Sequence, residues 1–146
     1  MQASLKTLKV INGETFEFRA RIVEGEIRVD CRPQDHKYSP LCLVVDTSWR
    51  YNPLDLIKAV LDEHGQSFEG EVSFAFHRDY PDDLPPGVTV DYLGGELVLT
   101  ERMFAQFVLE FAGFYLEAQQ KLGVSDPKRH EELGQRVEQL RQACCP

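Results

Sequence analysis

Residues 5–31 read LKTLKVINGETFEFRARIVEGEIRVDC, and this stretch decides the fold. Asn12-Gly13 suits a two-residue hairpin turn, because both central residues of such a turn take positive φ. From Phe16 to Ile22 apolar and charged residues alternate, which is typical of a strand with one face in the core and one in water. Glu24-Gly25 turns the chain again, and the alternation resumes as far as Cys31. The stretch therefore predicts a three-stranded antiparallel meander.

Further strands are predicted in the middle of the chain. Leu41–Val45 is a continuous apolar run, which favours a central strand buried on both faces. Glu71–His77 alternates again, and Val88–Tyr92 and Glu96–Leu99 predict a second hairpin across Gly94-Gly95.

Three helices are predicted from caps and apolar spacing. The first begins at Asn52-Pro53 and ends at Gly65. The second begins at Thr100, carries a wide phenylalanine-rich stripe and ends at Gly123. The third begins at Ser125 or Asp126 and has only a narrow apolar stripe, so we expect residues 126–146 to form a peripheral C-terminal helix. The fold class expected is α+β: a mostly antiparallel sheet of about six or seven strands, packed against two or three helices on one face.

Length and composition limit the class of protein. The 146 residues fit one domain, 1–146, and 42% hydrophobic with 27% charged residues is typical of a globular chain. The net charge is −8, from 24 acidic and 16 basic residues. A negative surface repels phosphates and anionic membranes, so we expect no nucleic acid and no membrane as partner. It suits a cationic protein, although net negative charge also serves solubility alone.

The expected compartment is the cytoplasm. Residues 1–10 lack the pattern of a signal peptide, and no apolar run approaches the roughly 20 residues that span a bilayer. In a reducing compartment the four cysteines are expected as free thiols. Cys31 and Cys42 lie in apolar, strand-like runs and are expected in the core, whereas the adjacent Cys144 and Cys145 are expected to be exposed.

A metal site and a catalytic centre are both disfavoured. Cys31, His36 and Cys42 offer three soft ligands, but structural zinc sites need four and usually pair close ligands, so two core cysteines and a loop histidine are favoured. The chain has no serine elbow, P-loop, dinucleotide fingerprint or zinc-protease helix motif. We therefore expect no cofactor, no metal and no catalytic residues.

The segment DYPDDLPPG, residues 79–87, is the strongest candidate for a binding surface. Its three prolines stiffen the backbone, which lowers the ordering cost of binding. Its carboxylates and tyrosine suit a basic partner, and Trp49-Arg50-Tyr51 adds residue types that dominate interface hot spots. A rigid solvated connection and a Trp49 buried under the first helix are the alternatives. The partner-binding residues predicted are Asp79, Tyr80, Asp82, Asp83, Trp49 and Tyr51.

The chain resembles a class of small acidic proteins. The resemblance lies in its size, its acidity, the meander at its start, the DYPDD loop and the phenylalanine-rich helix that follows residues 92–97, YLGGEL. The proteins of this class are the immunity proteins that bacteria keep in the cytosol against polymorphic or contact-dependent toxins. The resemblance implies direct binding of a cationic nuclease or other toxin domain, often over its active site.

Two alternative functions stay open. One is a small enzyme or ligand-binding domain with a pocket between sheet and helices, which Tyr92, Tyr115 and Cys42 would line. The other is a homo-oligomeric assembly subunit, in which the narrow-stripe last helix pairs between chains. The sequence does not determine the oligomeric state.

Overall fold

The computed structural model describes residues 4–48, 53–62, 66–68, 72–92, 95–123 and 127–144. Within these residues the chain forms seven strands and four α-helices, so the α+β class is confirmed. In chain order the elements are β1 Ser4–Ile11, β2 Glu14–Val23, β3 Glu26–Pro33, α1 Ser39–Ser48, α2 Pro53–Asp62, β4 Gln66–Phe68, β5 Val72–Phe76, β6 Val88–Tyr92, β7 Gly95–Leu99, α3 Glu101–Leu122 and α4 Pro127–Cys144. Short 3-10 turns at His36–Tyr38 and His77–Asp79 precede α1 and follow β5.

The strands form two antiparallel sheets, and the prediction of a single sheet is wrong. The N-terminal sheet has the order β1-β2-β3, and the C-terminal sheet has the order β4-β5-β6-β7. Among the described residues no ladder joins them. Instead α1 contacts β3 of the first sheet and β5, β6 and β7 of the second. A helix thus occupies the place that the sequence assigns to a central strand.

The N-terminal meander is confirmed. Ile11 pairs with Glu14 across the first turn, and Val23 pairs with Glu26 across the second. Asn12 and Gly13 have φ of 52° and 81°, as a type I′ turn requires. Because this turn fixes the register, every second residue of β2 from Phe16 to Ala20 lies in the core.

The prediction of a strand at Leu41–Val45 is wrong, because these residues belong to α1. Leu41, Cys42, Val44 and Val45 are all buried. A short helix enclosed on several sides shows no amphipathic period, so its sequence looks like a buried strand. Periodicity alone does not separate the two structures over five residues.

Helix α3, like α1, contacts both sheets. Its Phe104 lies 4.9 Å from Phe74 of β5, while Phe107 lies 5.1 Å from Phe16 of β2, between ring centroids. The predicted cap is confirmed, since Met103 N–H donates to Thr100 Oγ1 at 3.0 Å. The predicted stop is also confirmed, because Gly123 takes a left-handed φ of 76°.

Helix α4 packs on α2 and α3 of its own chain. Its narrow stripe, Leu133, Val137 and Leu140, is buried there. The apolar residues that an interchain helix pair would use are therefore already covered within the chain. Of the helices described, none combines the length and apolarity needed to cross a membrane.

Candidate functional site

The segment that follows β5 is a folded unit, which we call the acidic loop (residues 77–87). Its ends are joined, because His77 N–H donates to Gly87 O at 3.0 Å. His77 Nδ1 also lies 2.8 Å from Leu84 O, and since a carbonyl only accepts, Nδ1 is the protonated donor. Inside the loop the Leu84 N–H donates to Tyr80 O at 2.9 Å. The prolines and these hydrogen bonds together restrict the backbone of the loop.

The predicted binding residues of this loop differ in their roles. Tyr80 is 60% exposed, and Asp82 and Asp83 are also exposed. The half-buried Asp79 instead accepts the Phe76 N–H through Oδ2 at 2.8 Å, so its carboxylate orders the start of the loop. The loop therefore presents Tyr80, Asp82 and Asp83 to solvent.

The other two predicted binding residues, Trp49 and Tyr51, lie outside the described residues. Their part in binding stays a prediction. Trp49 directly follows α1, which ends at Ser48, and Tyr51 comes two residues later in the sequence.

A shallow hollow of about 560 Å³ lies beside the acidic loop. Its lining is mostly apolar and includes Pro86, Val98 and Leu99, with Glu101 and His77 among its polar residues. Val98 is 44% exposed, on the outer face of β7.

Charge is distributed unevenly over the outer faces of the two sheets. On the N-terminal sheet Arg21 and Arg28 lie opposite one another, and each directs Nε toward Asp30 at 3.7 Å. Lys6 and Arg19 similarly flank Glu17, at 3.5 and 3.6 Å. On the C-terminal sheet Asp91 lies directly opposite Glu96, and both are exposed. Cations are thus concentrated on the first sheet, and the second presents carboxylates.

A second site of chemical interest is the junction of β3 and α1. Cys31 of β3 and Cys42 of α1 place their Sγ atoms 2.8 Å apart, and both residues are buried. Asp46, one helical turn after Cys42, accepts the Cys31 N–H through Oδ1 at 3.0 Å. This bond satisfies a backbone group on the free edge of β3.

Burial dominates the electrostatics of the junction. It raises the pKa of the Asp46 carboxyl from 3.8 to about 6, even though the bond from the Cys31 N–H acts in the opposite direction. Burial, then the Cys42 thiol and the Asp46 charge, raise the pKa of the Cys31 thiol far above its ordinary value. The Cys31 thiol is therefore protonated and a slow nucleophile at neutral pH.

The junction opens to solvent through a cleft of about 300 Å³. Its lining is charged, apart from the cysteine, and consists of Glu17, Arg19, Asp30, Cys31, Arg32 and Asp46. A thiol and an acid meet there without an imidazole, so the cleft lacks the base that activates a cysteine nucleophile. Tyr92, Tyr115 and Cys42, which the sequence suggests as pocket residues, do not line this cleft.

In the part of the chain that the structure describes, no group of three His, Cys, Asp or Glu side chains is arranged so that it could hold a metal ion. His36 is exposed on its 3-10 turn, while Cys31 and Cys42 face each other in the core. The prediction that the two cysteines are core residues is confirmed, but Cys42 lies on a helix and not on a strand.

Sequence reasoning missed the part that Asp46 takes in the junction. The signal was present, since Asp46 follows Cys42 by four residues, which is one helical turn. It becomes informative only if residues 39–48 are recognised as a helix. No sequence spacing indicates that Cys31 and Cys42 meet, because their contact depends on how α1 lies along β3.

Comparisons of this chain with protein-family models, curated proteins and solved structures found no significant match.

Proposed function

We propose that this chain is a non-catalytic protein-binding protein that recognises a cationic protein through the acidic loop. The observation that carries the proposal is the ordered loop, which holds Tyr80, Asp82 and Asp83 in solvent on a backbone closed by its own hydrogen bonds. Binding then orders few additional groups, so less of the interaction free energy is lost. Tyrosine adds contact area with few rotatable bonds, and the carboxylates steer association.

The hollow beside the loop supports this surface as an interface. Stable interfaces combine an apolar centre with a polar rim. Here Pro86, Val98 and Leu99 supply the apolar centre, and His77, Thr100 and Glu101 are the polar side chains that line the hollow with them. A partner that places an aliphatic side chain in the hollow and basic side chains around it would satisfy both parts.

The distribution of charge supports a basic partner. On the outer face of the N-terminal sheet, each of the four cations named above lies within 4 Å of Glu17 or Asp30. Asp91 and Glu96, by contrast, stand opposite one another, and among the described residues no ion pair involves either. The negative potential of the C-terminal sheet is therefore available to a positively charged surface.

The class of partner that we propose is a toxin domain, with this chain as its cytoplasmic immunity protein. The small acidic chain, its meander and its acidic loop support the proposal through the resemblance stated above. Immunity by direct binding requires no cofactor and no catalytic group. A basic toxin encoded beside this chain would be the expected partner.

The test begins with capture of the partner from the native host and then compares two charge reversals. Asp82→Lys with Asp83→Lys changes the acidic loop, and Glu131→Lys with Glu132→Lys changes an equally exposed acidic pair on α4. Asp79 is kept, because its carboxylate caps the loop. Surface-based kinetics at two salt concentrations would measure association. We expect the loop variant to associate about tenfold more slowly at low salt and to lose most of its salt dependence.

The control variant should retain the association rate within about twofold, because its charges lie away from the proposed interface. Equal association rates for the two variants would reject the acidic loop as the recognition surface. Capture of an acidic protein that binds with no salt dependence would reject a cationic partner altogether.

A further inference from the structure

The contact between Cys31 and Cys42 is closer than packing of two small core residues requires. Their Sγ atoms lie 2.8 Å apart, and a disulfide bond is 2.03–2.05 Å long. The sulfurs therefore need to approach by less than about 1 Å to bond. The two cysteines come from different elements, β3 and α1, so the tertiary fold creates this proximity.

The pair is also placed so that a reagent reaches one member first. Cys31 lines the charged cleft at the junction, and Cys42 lies behind it in the core. The cleft has room for a small thiol reagent, since its volume is about 300 Å³.

We propose that Cys31 and Cys42 are a reversible redox pair, which forms an intramolecular disulfide between β3 and α1 by exchange with small disulfides such as oxidised glutathione. The Cys31 thiolate attacks R–S–S–R, forms a Cys31–S–S–R bond and releases R–S⁻. The Cys42 thiolate then attacks the Cys31 sulfur, forms the Cys31–Cys42 bond and releases the second R–S⁻. The protein gives up two electrons and two protons, and the reagent leaves as two R–SH molecules.

The structural consequence is a covalent link at the place where the two sheets meet. Helix α1 contacts β3 on one side and β5, β6 and β7 on the other. The disulfide would close a short loop that contains the 3-10 turn His36–Tyr38, whose Tyr38 ring lies 5.7 Å from that of Phe16. Because this loop is already folded in the reduced protein, formation of the disulfide requires little rearrangement of the native chain.

The reduced pair should react slowly but with a favourable equilibrium. Burial and the neighbouring acid keep Cys31 protonated, which limits the rate of the first exchange. The equilibrium depends on a different quantity, namely how well the fold holds the two sulfurs together. By linkage, a disulfide that forms more readily in the native chain than in the unfolded chain also stabilises the native chain.

The experiment uses the full chain with Cys144→Ser and Cys145→Ser, so that only Cys31 and Cys42 remain. Native protein is equilibrated in graded mixtures of reduced and oxidised glutathione, quenched in acid, unfolded, alkylated and weighed by mass spectrometry. The same equilibration in urea gives the equilibrium constant for disulfide formation in the unfolded chain. Equilibrium is approached from the reduced protein and from protein refolded with oxidised glutathione, so that slow exchange does not mask the result.

We expect a species that resists alkylation and is lighter than the reduced chain by two hydrogen atoms. Its equilibrium constant should be at least about tenfold larger in the native chain than in urea, which corresponds to 29.6 mV for two electrons. The oxidised chain should also unfold at a higher temperature. Cys42→Ala in the same background should form only a mixed glutathione adduct at Cys31.

Two results would overturn the proposal. One is a native chain in which both cysteines are alkylated at every glutathione ratio from either direction. The other is a disulfide that forms no more readily in the native chain than in urea, or that lowers the unfolding temperature. Neither result depends on the proposed binding function, since no partner is present in the assay.

Discussion

The N-terminal and C-terminal sheets both direct phenylalanines toward α3, yet their opposite faces carry different charges. On the inner side, Phe18 of β2 lies 5.7 Å from Phe107, and Phe76 of β5 lies 6.1 Å from Phe104. On the outer side the N-terminal sheet interleaves arginines with carboxylates. Arg21 and Arg28 face each other there but share Asp30, whereas Asp91 and Glu96 face each other on the C-terminal sheet with no ion pair to either among the described residues.

The difference in charge between the two outer faces has different consequences for stability and for binding. Paired charges on an exposed sheet face offset one another and contribute modestly to folding. Like charges that face each other across a ladder cost stability, and their potential extends into solvent. The C-terminal sheet and its acidic loop are therefore the region through which we propose that the chain binds a partner. The N-terminal sheet carries the buried thiol pair at its free edge.

The connections of the two sheets differ as well. The N-terminal sheet uses tight turns, and a Cβ on Gly13 or Gly25 would meet no atom within 4 Å. The acidic loop returns to β6 through Gly87, which has φ of 102°. A Cβ on Gly87 would clash with Leu99 O, because the backbone of this loop packs against the end of β7.

The largest effect is expected from Gly87→Ala. The clash with Leu99 O and the positive φ should together lower the free energy of unfolding by about 3 kcal/mol or more. Gly25→Ala is the matched control, because it has positive φ but open space, and it should cost about 1 kcal/mol. Urea denaturation of both variants measures the difference. Equal losses would mean that the acidic loop packs no more closely against its sheet than a hairpin turn does.

How far the fold could be predicted depends on how local its determinants are. The meander was predictable, because alternation from Phe16 to Ile22 and the Asn12-Gly13 turn are both local signals. Helix α3 was predictable from its cap and stripe. The division into two sheets was not, since it depends on α1, whose five apolar residues carry no period.

The candidate site was predictable in the same limited way. The prolines of residues 79–87 correctly indicated an exposed connection, and the exposure of Tyr80 and Asp82 is confirmed. The cap made by Asp79 and the thiol contact at Cys31 depend on distances that the sequence does not encode locally. The sequence alone therefore does not distinguish side chains with structural roles from neighbouring side chains that are exposed to solvent.

An intermediate effect is expected from Asp46→Asn at the edge of the N-terminal sheet. The pKa of Asp46 is 3.8 when it is solvated and about 6 in the fold, mainly because of burial. As pH rises from 3.8 to about 6, the unfolded chain releases this proton first, so stability falls and stays lower above about pH 6. The free energy of unfolding should fall by about 1 to 2 kcal/mol over this pH range, after allowance for partial solvent screening.

Asparagine keeps an oxygen that can accept the Cys31 N–H but carries no charge. Asp46→Asn should therefore remove this fall in stability, as urea denaturation over a pH series would measure. The exposed Asp82→Asn should follow the wild-type pH profile. A pH profile that is the same in wild type and Asp46→Asn would show that the Asp46 carboxyl does not carry the burial cost.

The smallest effects are expected from two opposite charge reversals, one on each sheet. Glu96→Lys places a cation opposite Asp91, and it should raise the free energy of unfolding by about 0.5 kcal/mol. Arg19→Glu places an acid opposite Asp30 and beside Glu17, so it should lower the free energy of unfolding by a similar amount. Both changes should shrink as salt is added, because the charges are exposed to screening. The contrary result is a change in the free energy of unfolding in the same direction in both variants. That result would mean that uncompensated negative charge is not confined to the outer face of the C-terminal sheet, and it would remove this support for a basic partner.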